Sequence, residues 1–117
     1  GLPRLAYSLT MQKWSDIRSS EDWIVYQRDK DISHTRPDGQ PASSIGTGYW
    51  ENALIGLATT NAEENVSKWY ASEKHRKNML YADAKTSAIS VYVIDQKAFV
   101  IQGFNTLSVE LLNRIDK

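Results

Sequence analysis

The chain has 117 residues, with 14 Lys+Arg against 14 Asp+Glu, no Cys, four Trp and six Tyr. A chain of this length forms one domain and buries roughly two thirds of its unfolded surface, so it needs no disulfide or metal staple. The absence of net charge speaks against broad electrostatic binding to nucleic acid or anionic membranes. The absence of Cys removes disulfides, thiolate nucleophiles and Cys-ligated zinc, leaving His, Asp and Glu as the ordinary metal ligands. No apolar run approaches the ~18 residues of a membrane span, and no basic-then-apolar start marks a signal peptide.

Taken in chain order, Pro3 keeps the first residues extended, and Ser8 and Thr10 are candidate helix caps. From about Thr10 to Tyr26 an amphipathic helix is expected, with Met11, Trp14, Ile17, Ile24 and Val25 on its apolar side. Gln12, Lys13, Asp16, Arg18 and Asp22 fill the other side. From Asp29 to Gly48 the pattern dissolves into turn-forming residues, with Pro37-Asp38-Gly39 as an explicit turn, and a long structured loop is expected.

Asn61 stands where it can cap a second helix, with Glu64 in a capping-box position and Val66, Trp69 and Tyr70 as the buried stripe. Beyond Leu80 the period changes to 2. Residues Ile89–Ile94 and Phe99–Phe104 read as a hairpin joined by Asp95-Gln96-Lys97. Apolar residues on both faces suggest a sheet covered from two sides. Leu107–Lys117 reads as a short terminal helix behind Ser108, with Val109, Leu111, Leu112 and Ile115 on its apolar face. No repeat or linker divides the chain.

Chemistry can reside in the two histidines. His34 and His75 each sit in a polar, turn-like context, where an imidazole serves as ligand or general acid and base. Ser43 and Ser44 offer hydroxyls, but no Gly-x-Ser-x-Gly elbow accompanies them. Lys68, Lys74, Arg76 and Lys77 with Trp69 and Tyr70 form a basic, aromatic stretch, read as a solvated face offset by Glu63, Glu64 and Glu73.

His34-Thr35-Arg36-Pro37-Asp38-Gly39, then Glu51-Asn52, then Trp69 with Ser72 and His75-Arg76-Lys77-Asn78-Met79-Leu80, occur in one order and spacing. Together with Gly1-Leu2-Pro3-Arg4-Leu5 they closely resemble the bacterial branch of the CAP superfamily, which unites cysteine-rich secretory, antigen-5 and pathogenesis-related-1 proteins. The resemblance implies an α/β (α+β) fold, a three-layer α-β-α sandwich with a small antiparallel sheet. It also implies a cleft where two His and two acidic residues can hold a divalent cation such as Zn, Mg or Mn.

Carried over by position, His34, Glu51 and His75 match three of those four residues, as metal ligands or, in an enzyme, as catalytic groups. At the fourth position this chain has Ser72, and the adjacent Glu73 points about 100° away on a continuing helix, so at most three ligands are expected. Trp50, Ser72, Glu73 and Arg76 are expected around the cleft. Trp50 and Lys74 stand where the family pattern usually has Gly, and an ammonium beside His75 disfavours a bound cation.

The implied role is a secreted or surface-displayed bacterial module, extracellular or on the cell surface, that binds an unknown extracellular ligand or host partner without catalysis. One alternative is a divalent-metal-dependent hydrolase, a nuclease or peptidase using His34, Glu51 and His75, with nucleic acid entering only as its substrate. A second is sterol or lipid binding against Tyr49 and Trp50. Residues 1–117 are expected to form one domain. Within it, 107–117 resembles the family's first helix, which suggests circular permutation or a helix-swapped dimer as alternatives to a simple monomer.

Overall fold

The computed structural model describes residues 4–58 and 61–115. Gly1-Leu2-Pro3 of the entry motif and Asp116-Lys117 of the terminal stretch lie outside the described residues. A short strand β1 (Ala6–Tyr7) leads into helix α1 (Leu9–Asp29). Ser8 caps α1 by accepting the Met11 N–H at 3.2 Å, and Lys30 ends it in a left-handed conformation while donating to the Tyr26 carbonyl.

The buried face of α1 differs from the apolar stripe expected of it. Met11, Trp14 and Val25 are buried, but Ile17 and Ile24 are exposed, and Ser15, Arg18, Ser19 and Asp22 are buried in their place. Met11, Ser15, Arg18, Asp22 and Val25 keep helical spacing; polarity, rather than period, was misleading. Small serines let the helix lie close to the sheet, where Ser19 and Ser90 join hydroxyls at 2.9 Å. Gly103 beneath α1 leaves no room for a Cβ, which would collide with Ser15 Oγ and approach Tyr49 Cε2 to 2.8 Å.

After the loop and a 3-10 turn (Ala42–Ile45) come strand β2 (Trp50–Leu57), helices α2 (Ala62–Ala71) and α3 (Glu73–Met79), strands β3 (Thr86–Ile94) and β4 (Lys97–Asn105), and helix α4 (Val109–Ile115). The sheet order is β1-β3-β4-β2. β1 runs parallel to β3 while the other pairs are antiparallel, so the sheet is mixed rather than purely antiparallel. The hairpin turn is Asp95-Gln96 alone, with positive φ at both residues as a two-residue turn of matching twist requires, and Lys97 already belongs to β4.

Register assigns the faces. Phe99, Ile101 and Gly103 look toward α1, whereas Ala98 and Val100 pack with Trp69 of α2 on the opposite side, which completes three layers. β4 lies between both helical layers and is buried nearly throughout. Cover of β3 is one-sided: Ala88 and Ser90 are buried, but Ile89, Val91 and Val93 are exposed because α2 and α3 sit over β2 and β4. In α2, Asn61 caps as expected by accepting the Glu64 N–H, and Trp69 is buried, but Tyr70 faces out. In α4, Leu112 packs with Met11, Trp14 and Tyr49 on the α1 side, while Leu111 and Ile115 are exposed.

Candidate functional site

The site grows from the pleat of β2, a strand for which the sequence offered no alternating pattern. Trp50 pairs with Phe104, Glu51 with Gly103 and Asn52 with Gln102, so successive side chains go to opposite faces. Glu51 turns toward α1, where four groups meet its two oxygens. Arg18 Nε and Tyr49 Oη donate to Oε1 at 3.0 and 2.8 Å, and Arg18 Nη2 and His34 Nδ1 donate to Oε2 at 3.0 and 2.8 Å. The paired Arg18 bonds match the fork of a guanidinium to a carboxylate.

Arg18 is fully buried and serves more than Glu51. It also donates to Asp22 Oδ1, to Glu21 Oε1 and to the Ser33 carbonyl, each at 3.1 Å. Arg36 grips Glu21 through Nε and Nη2 at 3.0 and 2.8 Å. These bonds staple the loop that carries His34 onto α1.

Protonation follows from this arrangement. Burial drives the Glu51 pKa upward, but the hydrogen bonds from His34 and Arg18, and the Arg18 charge, outweigh it and leave the carboxyl below its usual range. One guanidinium does not serve two buried carboxylates equally. Burial pushes Asp22 up to about 7 despite Arg18, with the Glu51 charge adding to the rise. Its Oδ2 is buried with no hydrogen-bond partner among the described residues. Burial, then the Glu51 charge, holds the Tyr49 phenol well above its ordinary value.

On the other face, Asn52 and Asn78 tie β2 to α3. Asn78 Nδ2 donates to Asn52 Oδ1 at 2.8 Å and to the Glu51 carbonyl at 3.3 Å, and Asn52 Nδ2 donates to the His75 carbonyl at 3.1 Å. His75 lies on helix α3 rather than in a turn, with Nδ1 2.9 Å from Ser72 Oγ. Burial first, then the charges of His34 and Lys74, lower its pKa.

His34, Trp50 and Glu51 line an open cleft of about 280 Å³, together with Ser43, Tyr49 and Lys74. The cleft does not gather every residue expected around it. Neither His75 nor Ser72, which contacts it, is in the lining; Glu73 is exposed and pairs with Lys77 at 3.5 Å, and Arg76 donates to the Tyr70 carbonyl and covers the Tyr70 ring. Ser44 accepts from Arg36 at 3.4 Å. The basic, aromatic stretch is divided in the same way, since Trp69 is core and Lys74 faces the cleft. Both departures from the family pattern, Trp50 and Lys74, therefore border one cavity.

Among the described residues no three of His, Cys, Asp and Glu come together as a group able to hold a metal ion. The donor chemistry agrees: both Glu51 oxygens are occupied, and Lys74 adds a positive charge to the lining. As arranged, His34, Glu51 and His75 do not fit a divalent cation.

Arg18 and Asp22 escaped sequence reasoning as site residues. Arg18 and Asp22 carried one signal, their i, i+4 placement on the stripe through Met11, Ser15 and Val25.

The sequence profile of the cysteine-rich secretory protein family, CAP, matches residues 1–104. The chain belongs to this family. Among curated proteins there is no match. Solved CAP-type structures share its fold. An extracellular protein containing an SCP domain from Bacillus anthracis is similar at TM-score 0.64 and 21% identity, over 89% of this chain and 34% of that one. An outer surface protein from Borrelia burgdorferi is similar at TM-score 0.63 and 15% identity, over 89% of this chain and 78% of that one. NaASP2, solved with Zn2+, is similar at TM-score 0.58 and 10% identity, over 92% of this chain and 64% of that one. The chain thus spans about a third of the length of the Bacillus protein. Among the described residues no helix is long and apolar enough to cross a membrane.

Proposed function

We propose that this CAP domain is an extracellular or surface-displayed binding module whose cleft between the His34 loop, β2 and α3 takes a ligand without chemical conversion. The observation that supports it is the saturation of Glu51, whose two oxygens accept four hydrogen bonds. A carboxylate so engaged acts as the keystone of a rigid wall, and using it as metal ligand or nucleophile means breaking charge-assisted bonds inside the protein. The extracellular placement is supported by the two bacterial neighbours described as extracellular and outer surface proteins.

A hydrolytic reading has one observation in its favour. His34 Nδ1 is backed by Glu51 at 2.8 Å, an arrangement that orients an imidazole and raises the basicity of its other nitrogen. Calorimetry with Zn2+, Mg2+ and Mn2+, alongside phosphodiester and peptide hydrolysis assays with and without chelator, separates the two. A binding module gives no metal heat that depends on His34 and His75, and no chelator-sensitive turnover. Turnover abolished by chelator and by His75→Ala, in a protein that stays folded, overturns the proposal. Fluorescence titration with a sterol or fatty acid examines the lipid alternative, for which Trp50 is the reporter.

A further inference from the structure

We infer that the ligand of the cleft bears an oxyanion, a carboxylate or phosphate monoester, held by Lys74, and an apolar planar group set against Trp50. This rests on the cleft being a ligand site and adds the chemistry of what it takes.

Most polar groups of the lining have already spent their bonding capacity within the protein. Glu51 is spent on Arg18, Tyr49 and His34, and the Tyr49 hydroxyl is spent on Glu51. Both amide hydrogens of Asn78 go to the Glu51 carbonyl and to Asn52. Lys74 differs. It lines the cavity, is exposed, and has no ion-pair partner among the described residues, because its neighbour Glu73 pairs with Lys77. Ser43 adds an exposed hydroxyl to the same lining. The unspent groups are therefore the Lys74 ammonium, the Ser43 hydroxyl and the second ring nitrogen of His34, with a positive charge but no free carboxylate among them. A cationic ligand would find no free carboxylate here, whereas an oxyanion finds an ammonium and a hydroxyl.

The charge also reaches into the protein, since Lys74 and His34 both contribute to the lowering of the His75 pKa after burial. Trp50 belongs to the same lining. Its ring is stacked on Phe104 at 5.6 Å and meets Tyr81 edge-on at 5.4 Å, so it is a fixed apolar wall rather than a mobile side chain. A small cavity with one charged anchor and one aromatic wall selects a ligand by charge and by shape.

The test uses the whole chain and four probes of one shape: benzoate, phenyl phosphate, neutral benzamide and cationic benzylamine. Binding is followed through the Trp50 indole N–H signal, assigned with Trp50→Phe, and by calorimetry. Expected is that at least one anion shifts that signal and binds about tenfold more tightly than benzamide, the factor one partly screened charge supplies. Whichever anion binds better distinguishes a carboxylate from a phosphate ester. Lys74→Gln, at an exposed position, should remove the preference without changing the fold, and added salt should shrink it. Benzamide or benzylamine binding as well as the anions, or an anion affinity that Lys74→Gln leaves intact, overturns the inference while leaving the cleft a ligand site. No response of the Trp50 signal to any probe overturns both.

Discussion

Arg18 and Glu51, 33 residues apart in sequence, meet through two hydrogen bonds of 3.0 Å each, with both side chains almost wholly out of solvent. This pair joins α1 to β2 and, through His34 and the Ser33 carbonyl, holds the loop over the cleft. Removing Arg18 would leave Glu51 and Asp22 buried without their cation. Arg18→Ala should therefore cost about 3–5 kcal/mol, a large share of the stability of a small domain. Urea denaturation measures it, and Arg18→Lys should recover only part because an ammonium lacks the planar fork.

Asp22 gives the stability a pH dependence of unusual sign. Its carboxyl titrates near 3.8 when free and at about 7 in the fold, so between these values the folded state keeps a proton that the unfolded chain has released. Its contribution is complete below the lower value and is lost as pH rises through the upper one. His75, with a lowered pKa, works in reverse: its contribution is present above its ordinary value and lost as pH falls through the folded one. Thermal midpoints of wild type and Asp22→Asn compared across this range should diverge, the variant gaining relative to wild type as pH rises.

Gly103 is the point where α1 and Tyr49 come closest to the sheet. A Cβ there would collide with Ser15 Oγ and come within 2.8 Å of Tyr49 Cε2 and 3.0 Å of Met11 Cε. Gly103→Ala should cost about 1–3 kcal/mol from overpacking. Because Tyr49 also donates to Glu51, the variant should disturb the His34 ring signals in NMR as well as lowering the midpoint.

The terminal helix is anchored by one residue. Leu112 is fully buried against the cluster of Met11, Trp14 and Tyr49, whereas Leu111 is largely exposed. Leu112→Ala should cost about 2–5 kcal/mol and Leu111→Ala well under 1 kcal/mol, measured by chemical denaturation. Equal effects would mean that α4 does not pack as described.

How much was legible depended on whether the information was local. The Ser8 and Asn61 caps, the β3–β4 hairpin and the terminal helix behind Ser108 were readable because a cap or a period-2 run is written within a few residues. β2 was not, since Trp50-Glu51-Asn52 places a charge and an amide in a strand whose hydrogen bonds come from β4, some fifty residues later. His75 in α3 was hidden likewise, because Glu73–Met79 is short and its inward bonds run from Asn78 to residues of β2.

The sequence by itself determined the family and hence the layered architecture, because the motif segments around His34, Glu51 and His75 and the hairpin pattern are properties of residue order. Only the tertiary structure decided what those residues do to one another. Arg18 and Asp22 read as a solvated face until Glu51 arrives from β2, and desolvation then turns them into a buried charge network. The same closure spends Glu51 and leaves Lys74 with its charge unpaired among the described residues at the cleft. A charge's role depends on which opposite charge shares its low-dielectric surroundings, and that is a matter of distance in space rather than along the chain.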